Sequence, residues 1–219
     1  MKGIIIDGVV ASGKSSIIKY IQQELVKLYP QRSKFFLSEH YTERILESLR
    51  ENGQLDGKKT KEHIRDILET LQKYNQMLLN SKFNENRGNA ELIVVIERFI
   101  LTHLTSLKDR RGYSLKEAQE HLLTVKKFNI RQIVLVIPED RLKERLMSTI
   151  HYRNNNWKKY LYSNGNEEQI IEKFRQWQNK LVNYANRFRN YIDTTIIEMN
   201  HNNYKQHAKE ILEGYLRDS

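Results

Sequence analysis

The chain has 219 residues, 39% of them hydrophobic, with nine Gly, two Pro and no Cys. That size suits one domain of ordinary dimensions, and the lack of Cys excludes disulfides and thiolate metal sites. Lys and Arg total 37 against 27 Asp and Glu, a formal charge of +10, which suits an anionic partner, either nucleic acid or a phosphorylated small molecule.

Short apolar runs alternate with longer helical patterns, which predicts an α/β fold with a parallel sheet. The first strand is read at Lys2 to Ile6, and Ile17, Ile18, Ile21, Leu25 and Leu28 then recur at helical spacing. Lys34 to Leu37 is the second strand. Ile64, Ile67, Leu68, Leu71, Met77 and Leu78 describe a long helix before a strand at Leu92 to Ile96. Ser114 with Glu117 forms a capping-box start for a helix carrying Leu115, Ala118, Leu122 and Val125. The strand Ile133 to Ile137 ends at Pro138, and a helix from near Asp140 presents Leu142, Leu146 and Ile150. Ile170, Ile171, Phe174, Trp177, Leu181 and Phe188 line another long helix. A strand near Thr194 to Met199 and a helix from Tyr204 to Leu216 complete the chain.

No Pro-rich or Ser/Gly-rich linker and no repeat divides this pattern, so residues 1–219 read as a single domain. The apolar runs last about five residues, far below the ~20 that cross a bilayer, and the start Met1-Lys2-Gly3 has no signal-peptide pattern. A soluble, cytoplasmic protein without a membrane partner is the expectation, and a homodimer stays open. Acidic residues interrupt most basic stretches, so nucleic acid is not favoured over a solvated lysine surface. The seven His residues lack ligand spacing with carboxylates, and Trp157 and Trp177 read as packing residues.

One motif carries chemistry. Gly8-Val9-Val10-Ala11-Ser12-Gly13-Lys14-Ser15 matches G-x-x-x-x-G-K-[ST] between a predicted strand and a predicted helix. Gly8 and Gly13 let the backbone curl so that N–H groups point inward at phosphates. Lys14 suits the β- and γ-phosphates of ATP, and the Ser15 hydroxyl suits Mg²⁺. The helix start adds its positive dipole end. The ATP-binding stretch therefore runs from Gly8 to Ser16, with Ala11, Ser12, Gly13, Lys14 and Ser15 inside it. The marks of GTPases are missing in context: Asp109-Arg110-Arg111-Gly112 follows a polar stretch, and Asn179-Lys180-Leu181-Val182 lacks the Asp that reads guanine.

The sequence Ile93-Val94-Val95-Ile96-Glu97-Arg98-Phe99 resembles the Glu-Arg-Ser motif of deoxynucleoside kinases and the Asp-Arg-Tyr motif of thymidylate kinases. The resemblance implies Glu97 near Mg²⁺ and Arg98 near the transferred phosphate. Ser38-Glu39-His40 stands where these families carry Glu-Pro, implying that Glu39 orients the acceptor or accepts its proton. Leu71-Gln72-Lys73-Tyr74 resembles a Phe-Gln-x-Tyr stretch whose Gln reads the base. Ile137-Pro138-Glu139 through Glu144-Arg145 resembles the run into a helical lid, here residues 140–160, with Arg145 and Arg153 as its phosphate-side cations. His40 and Phe99 depart from the family spelling. The resemblance further implies a three-layer α/β/α P-loop fold with strand order 2-3-1-4-5.

The expected activity is ATP- and Mg²⁺-dependent phosphoryl transfer, with a deoxynucleoside as the favoured acceptor. A nucleoside monophosphate stays open, because Arg44 falls where a thymidylate kinase places a phosphate-side Arg. For Arg44 the plainer reading is a helix-surface pair with Glu43 or Glu47. A kinase of a nucleic-acid end or of another metabolite also stays open, as does a non-catalytic nucleotide-binding regulator.

Overall fold

The computed structural model describes residues 1–49, 57–82, 91–105, 113–163, 165–200 and 203–216. Five strands form one sheet: β1 (Lys2–Gly8), β2 (Lys34–Leu37), β3 (Ile93–Glu97), β4 (Ile130–Val136) and β5 (Thr194–Glu198). Their order is β2-β3-β1-β4-β5, as expected, and every pairing is parallel. Parallel neighbours need crossovers, which helices supply. α1 (Lys14–Leu28) follows β1, and α2 (Glu39–Thr42) with α3 (Gly57–Leu79) follows β2. α4 (Ile100–Thr105) and α5 (Leu115–Lys127) follow β3. α6 (Glu139–His151), α7 (Asn155–Tyr162) and α8 (Glu167–Arg187) lie between β4 and β5. α9 (Tyr204–Ile211) and a wide turn over Leu212–Leu216 end the described fold.

The central strands β1, β3 and β4 are mostly apolar because both sheet faces are covered there. Ile5, Val94, Ile96 and Val134 enter one core with Ile64 of α3, Phe99, Leu122 of α5 and Leu181 of α8. Alternate residues Ile4, Ile6, Ile93, Val95 and Ile133 face the other way, onto Ile17, Ile21 and Leu25 of α1 and Ile211 of α9. These are the three predicted layers. A third apolar cluster stands apart: Leu142 and Leu146 of α6, Leu161 of α7 and Phe174 of α8 close on Val9, in the loop after β1.

The differences from expectation have local causes. Met77 is 69% exposed, since the helical period carries it away from the face holding Leu71. The segment 140–160 is two helices, because the Asn154 side chain accepts a hydrogen bond from Trp157 N–H at 2.9 Å and starts α7 anew. Ser114 and Glu117 do form the capping box. A second capping box, Asn166 with Gln169, opens α8 and has the same sequence signature. Asn179-Lys180 lies inside α8, where it cannot act as a base-reading loop. Asp109 to Gly112 and the Glu47 side chain lie outside the described residues.

Candidate active site

The sheet brings the predicted residues to one edge. In the register Ile6 pairs with Glu97, and Leu37 with Ile96, so the loop after β1, the end of β3 and the start of α2 are neighbours. This is the crevice beyond the carboxyl ends of parallel strands, between β1 and its outward neighbours, where such sheets bind ligands.

The loop from Gly8 to Ser15 folds tightly between β1 and α1. A Cβ on Gly8 would stand 2.9 Å from the Leu135 carbonyl oxygen, and a Cβ on Gly13, whose φ is +92°, would overlap the Tyr204 ring. Ala11 adopts φ +66°, a left-handed conformation that costs a non-glycine residue about 1–2 kcal/mol. The cluster behind it, in which Val9 is fully buried and Val10 and Ala11 partly so, holds it there. Lys14 is 5% exposed and donates to the Val9 carbonyl at 3.0 Å. Ser15 presents its hydroxyl to Glu97, donating to Oε1 at 3.2 Å.

Beside this loop lies an interlocked set of charges. Arg98 Nη1 donates to Glu43 Oε2 at 2.9 Å, and its Nε lies 3.2 Å from Glu39 Oε2. Arg44 holds the other Glu39 oxygen, its Nε donating to Oε1 at 2.8 Å. Arg44 thus reaches back to Glu39, because α2 ends at Thr42 and the chain turns back. Thr42 locks α2 onto β3, its hydroxyl donating to the Glu97 carbonyl at 2.6 Å. Arg98 itself has φ +53°, and its N–H donates to the Ile6 carbonyl at 3.0 Å. Phe99, where the resemblance anticipated Ser or Tyr, is fully buried in the core and anchors the turn.

Burial and charge set the titration of these groups. Lys14 is pushed down to about 7, first by burial and then by Arg98, against the pull of Glu97, Glu39 and Asp7. Burial opposes ionisation of Glu39, but Arg98, Arg44 and Lys14 outweigh it and hold the carboxyl below its ordinary range. Burial likewise works against the charge on Arg98, and Glu43, Glu39 and Glu97 more than restore it. Asp7 is fully buried beneath the loop and accepts from Thr102, from Phe99 N–H at 3.3 Å and from Gln132 at 2.9 Å. Burial raises its pKa despite these bonds.

Other predicted residues stand further out. Arg145 donates to the Met199 carbonyl at 2.9 Å and lies over the Tyr204 ring at 5.9 Å. Its guanidinium thus contacts the stretch after β5 and the Tyr204 ring that covers Gly13. Arg153 is exposed at the α6–α7 break, over the Trp157 ring at 5.2 Å. Gln72 is exposed on α3, one position beyond buried Leu71. A cleft of about 350 Å³ opens beside Ser38 and Tyr41, lined by β2 and by Ile67 and Thr70 of α3. It adjoins Glu39 without including the loop after β1.

No family model matches this sequence, and no curated protein sequence does. Solved structures match it in shape. YorR from Bacillus subtilis, in complex with phosphorylated GDP, superposes with a TM-score of 0.60 at 14% identity, covering 97% of this chain and 94% of that one. Thymidylate kinase from Ehrlichia chaffeensis gives 0.52 at 11% identity, covering 97% of each chain. Shikimate kinase from Acinetobacter baumannii, in complex with shikimate, gives 0.50 at 14% identity, covering 97% and 92%. The chain has the P-loop kinase fold.

Within that fold, two acids belong to the site although sequence reasoning missed them. Glu43 completes a pair with Glu39, and four-residue spacing on a short helix was the available signal. Asp7 was signalled as a lone acid after the apolar run Ile4 to Ile6, just before Gly8. The Ser15 hydroxyl and Glu97 carboxylate are hard oxygen donors side by side, which suits Mg²⁺. Among the described residues no three His, Asp or Glu gather into a dedicated metal cage, so a magnesium ion here would draw its remaining ligands from phosphate and water. Bound there, it would offset phosphate charge.

Proposed function

We propose that this protein is a kinase that transfers the γ-phosphoryl group of ATP to a nucleoside or nucleotide. One observation carries the reading. Lys14-Ser15, Glu97-Arg98 and Glu39 meet at one sheet edge, with Ser15 on Glu97 and Arg98 on Glu39. The likeness in shape to a thymidylate kinase and to a protein holding a phosphorylated nucleotide supports it.

The chain's own residues divide the work as follows. Loop N–H groups and Lys14 hold the polyphosphate, and the Arg98 guanidinium neutralises charge growing on the moving phosphoryl oxygens. Glu39, ionised well below neutrality, is a weak proton acceptor there, so its task is to orient the acceptor. A loose phosphoryl-transfer transition state asks little more of it. Arg145 beside Tyr204, whose ring covers Gly13, supports a role beside the phosphate-binding loop. Arg153 and the α6–α7 helices act as the lid that excludes water.

Between the two acceptor classes, the charges around Glu39 lend support to a nucleoside monophosphate rather than the deoxynucleoside expected from sequence. Arg44 and Arg98 both converge on Glu39, so an incoming phosphate finds two cations at the acceptor acid. Gln72, one of two supports for an uncharged acceptor, is exposed on α3. The spelling Glu97-Arg98 keeps the deoxynucleoside as the second reading. Steady-state kinetics on thymidine and deoxycytidine against their 5′-monophosphates should show at least about a tenfold kcat/KM preference for the monophosphates, about 1.4 kcal/mol. Arg44→Ala should erase that preference. A preference for the nucleosides, untouched by Arg44→Ala, reverses the assignment.

The titration of Lys14 gives a second test. With its folded pKa pushed to about 7 from 10.5, the unfolded chain binds more protons between those values. The folded state therefore gains stability as pH rises through that window. A bound polyphosphate favours the ammonium form instead. MgATP binding above pH 7 should take up a proton and weaken with pH by up to about tenfold per unit. Calorimetry in buffers of different ionisation enthalpy reads this directly, and a pH-independent affinity without proton uptake would contradict it.

A further inference from the structure

Trp177 has neighbours of two different kinds. On one side its indole joins the apolar cluster of α6, α7 and α8, against Phe174 at 5.9 Å between ring centroids. On the other, the Arg98 guanidinium lies over the ring, 5.3 Å from its centroid. The indole is itself pinned, because Nε1–H donates to Thr105 Oγ1 at 3.0 Å. Glu39 and Glu43 hold the Arg98 guanidinium through its Nε and Nη1. The indole adds a constraint of a different kind, from the side of its ring face, since a guanidinium is drawn to an aromatic face. The same cluster buries Val9 completely, so the phosphate-binding loop and the floor beneath Arg98 rest on one block of side chains.

We propose that Trp177 is a positioning residue through which the α6–α8 core sets the plane of the Arg98 guanidinium relative to the phosphate-binding loop. The proposal rests on the reading of Arg98 as the group that faces the transferred phosphoryl. It makes α8 part of the active-site machinery, although the helix supplies no atom to the reacting groups. It also accounts for an amphipathic residue, with an apolar body and one N–H, where a purely packed site takes Leu or Phe.

Two measurements test it separately. The protein has two tryptophans, so Trp157→Phe leaves Trp177 as the only indole. In that background Arg98→Met should shift the Trp177 emission; identical spectra overturn the stacking whether or not turnover is seen. In kinetics with MgATP and thymidine 5′-monophosphate, Trp177→Leu should lower kcat about tenfold or more, about 1.4 kcal/mol, with the KM for MgATP little changed. Trp177→Phe, which keeps a ring face, should retain most of kcat. Equal losses in the two variants, or a loss confined to KM, mark Trp177 as packing alone and overturn the proposal. A wild-type protein without turnover on any acceptor counts against the kinase reading, and the emission shift then decides the role of Trp177.

Discussion

Lys14→Ala is expected to lower phosphoryl transfer about 10³-fold, near 4 kcal/mol of transition-state stabilisation, as for other single cations on a transferring phosphoryl group. The fold should survive. Lys14 is buried, yet its ammonium is tied to the backbone through the Val9 carbonyl, and burial already disfavours its charge. Removing it therefore relieves a desolvation cost while leaving a small gap at the start of α1. The variant should melt within a few degrees of wild type by circular dichroism. Lys14→Arg keeps a charge that does not titrate, so it should also abolish the proton uptake on MgATP binding. A folded Lys14→Ala protein with wild-type turnover would remove the loop from the mechanism.

Arg98→Ala is the second large effect, and it should damage both rate and stability. Turnover should fall about 10²–10³-fold through loss of charge stabilisation on the phosphoryl oxygens. Stability should fall by about 2 kcal/mol, less than for a fully buried pair, because Glu39 keeps Arg44 and both acids keep some solvent. The pH sign follows from Glu39. Its folded pKa is held below 4.5, so it contributes stability above that value and loses it as pH falls through the folded pKa. Without Arg98 that depression shrinks, and acid unfolding should begin at higher pH than in wild type. An acid-unfolding midpoint equal to wild type would show that Arg98 is not the partner that holds Glu39. Arg98→Lys should recover part of the stability and little of the rate, because one ammonium cannot serve Glu39, Glu43 and the indole face together.

How far these roles could be read in advance depended on the range of the signal. The strands were legible as short apolar runs, three of them followed by a motif residue, Gly8, Glu39 or Glu97, while their order was legible only through the family resemblance. The helix faces were legible where the period stayed intact, as for Ile17, Ile21 and Leu25, and failed at Met77 where it had already drifted. Glu97 and Ser15 were legible as a pair only through resemblance; their 3.2 Å approach is made by strand register. Glu43 and Trp177 were not legible as site residues. Glu43 meets Arg98 across 55 residues, and Trp177 meets it from a different helix. Arg145 shows the converse. Its place in a run resembling a lid implied the phosphoryl group, while its contacts with the Met199 carbonyl and Tyr204, contributed by the far end of the chain, could not be read from that run.

The central claim is that Lys14-Ser15, Glu97-Arg98 and Glu39 form one site that moves a phosphoryl group from ATP to a nucleoside-type acceptor. The most direct test is incubation of the protein with MgATP labelled in the γ-phosphoryl group and a panel of nucleosides and 5′-monophosphates, with products identified by mass. The prediction is one acceptor class made heavier by a single labelled phosphoryl group, with ADP formed in equal amount and both lost in Lys14→Ala. Tight MgATP binding with no acceptor gaining the label would contradict the claim and leave a nucleotide-binding regulator in its place.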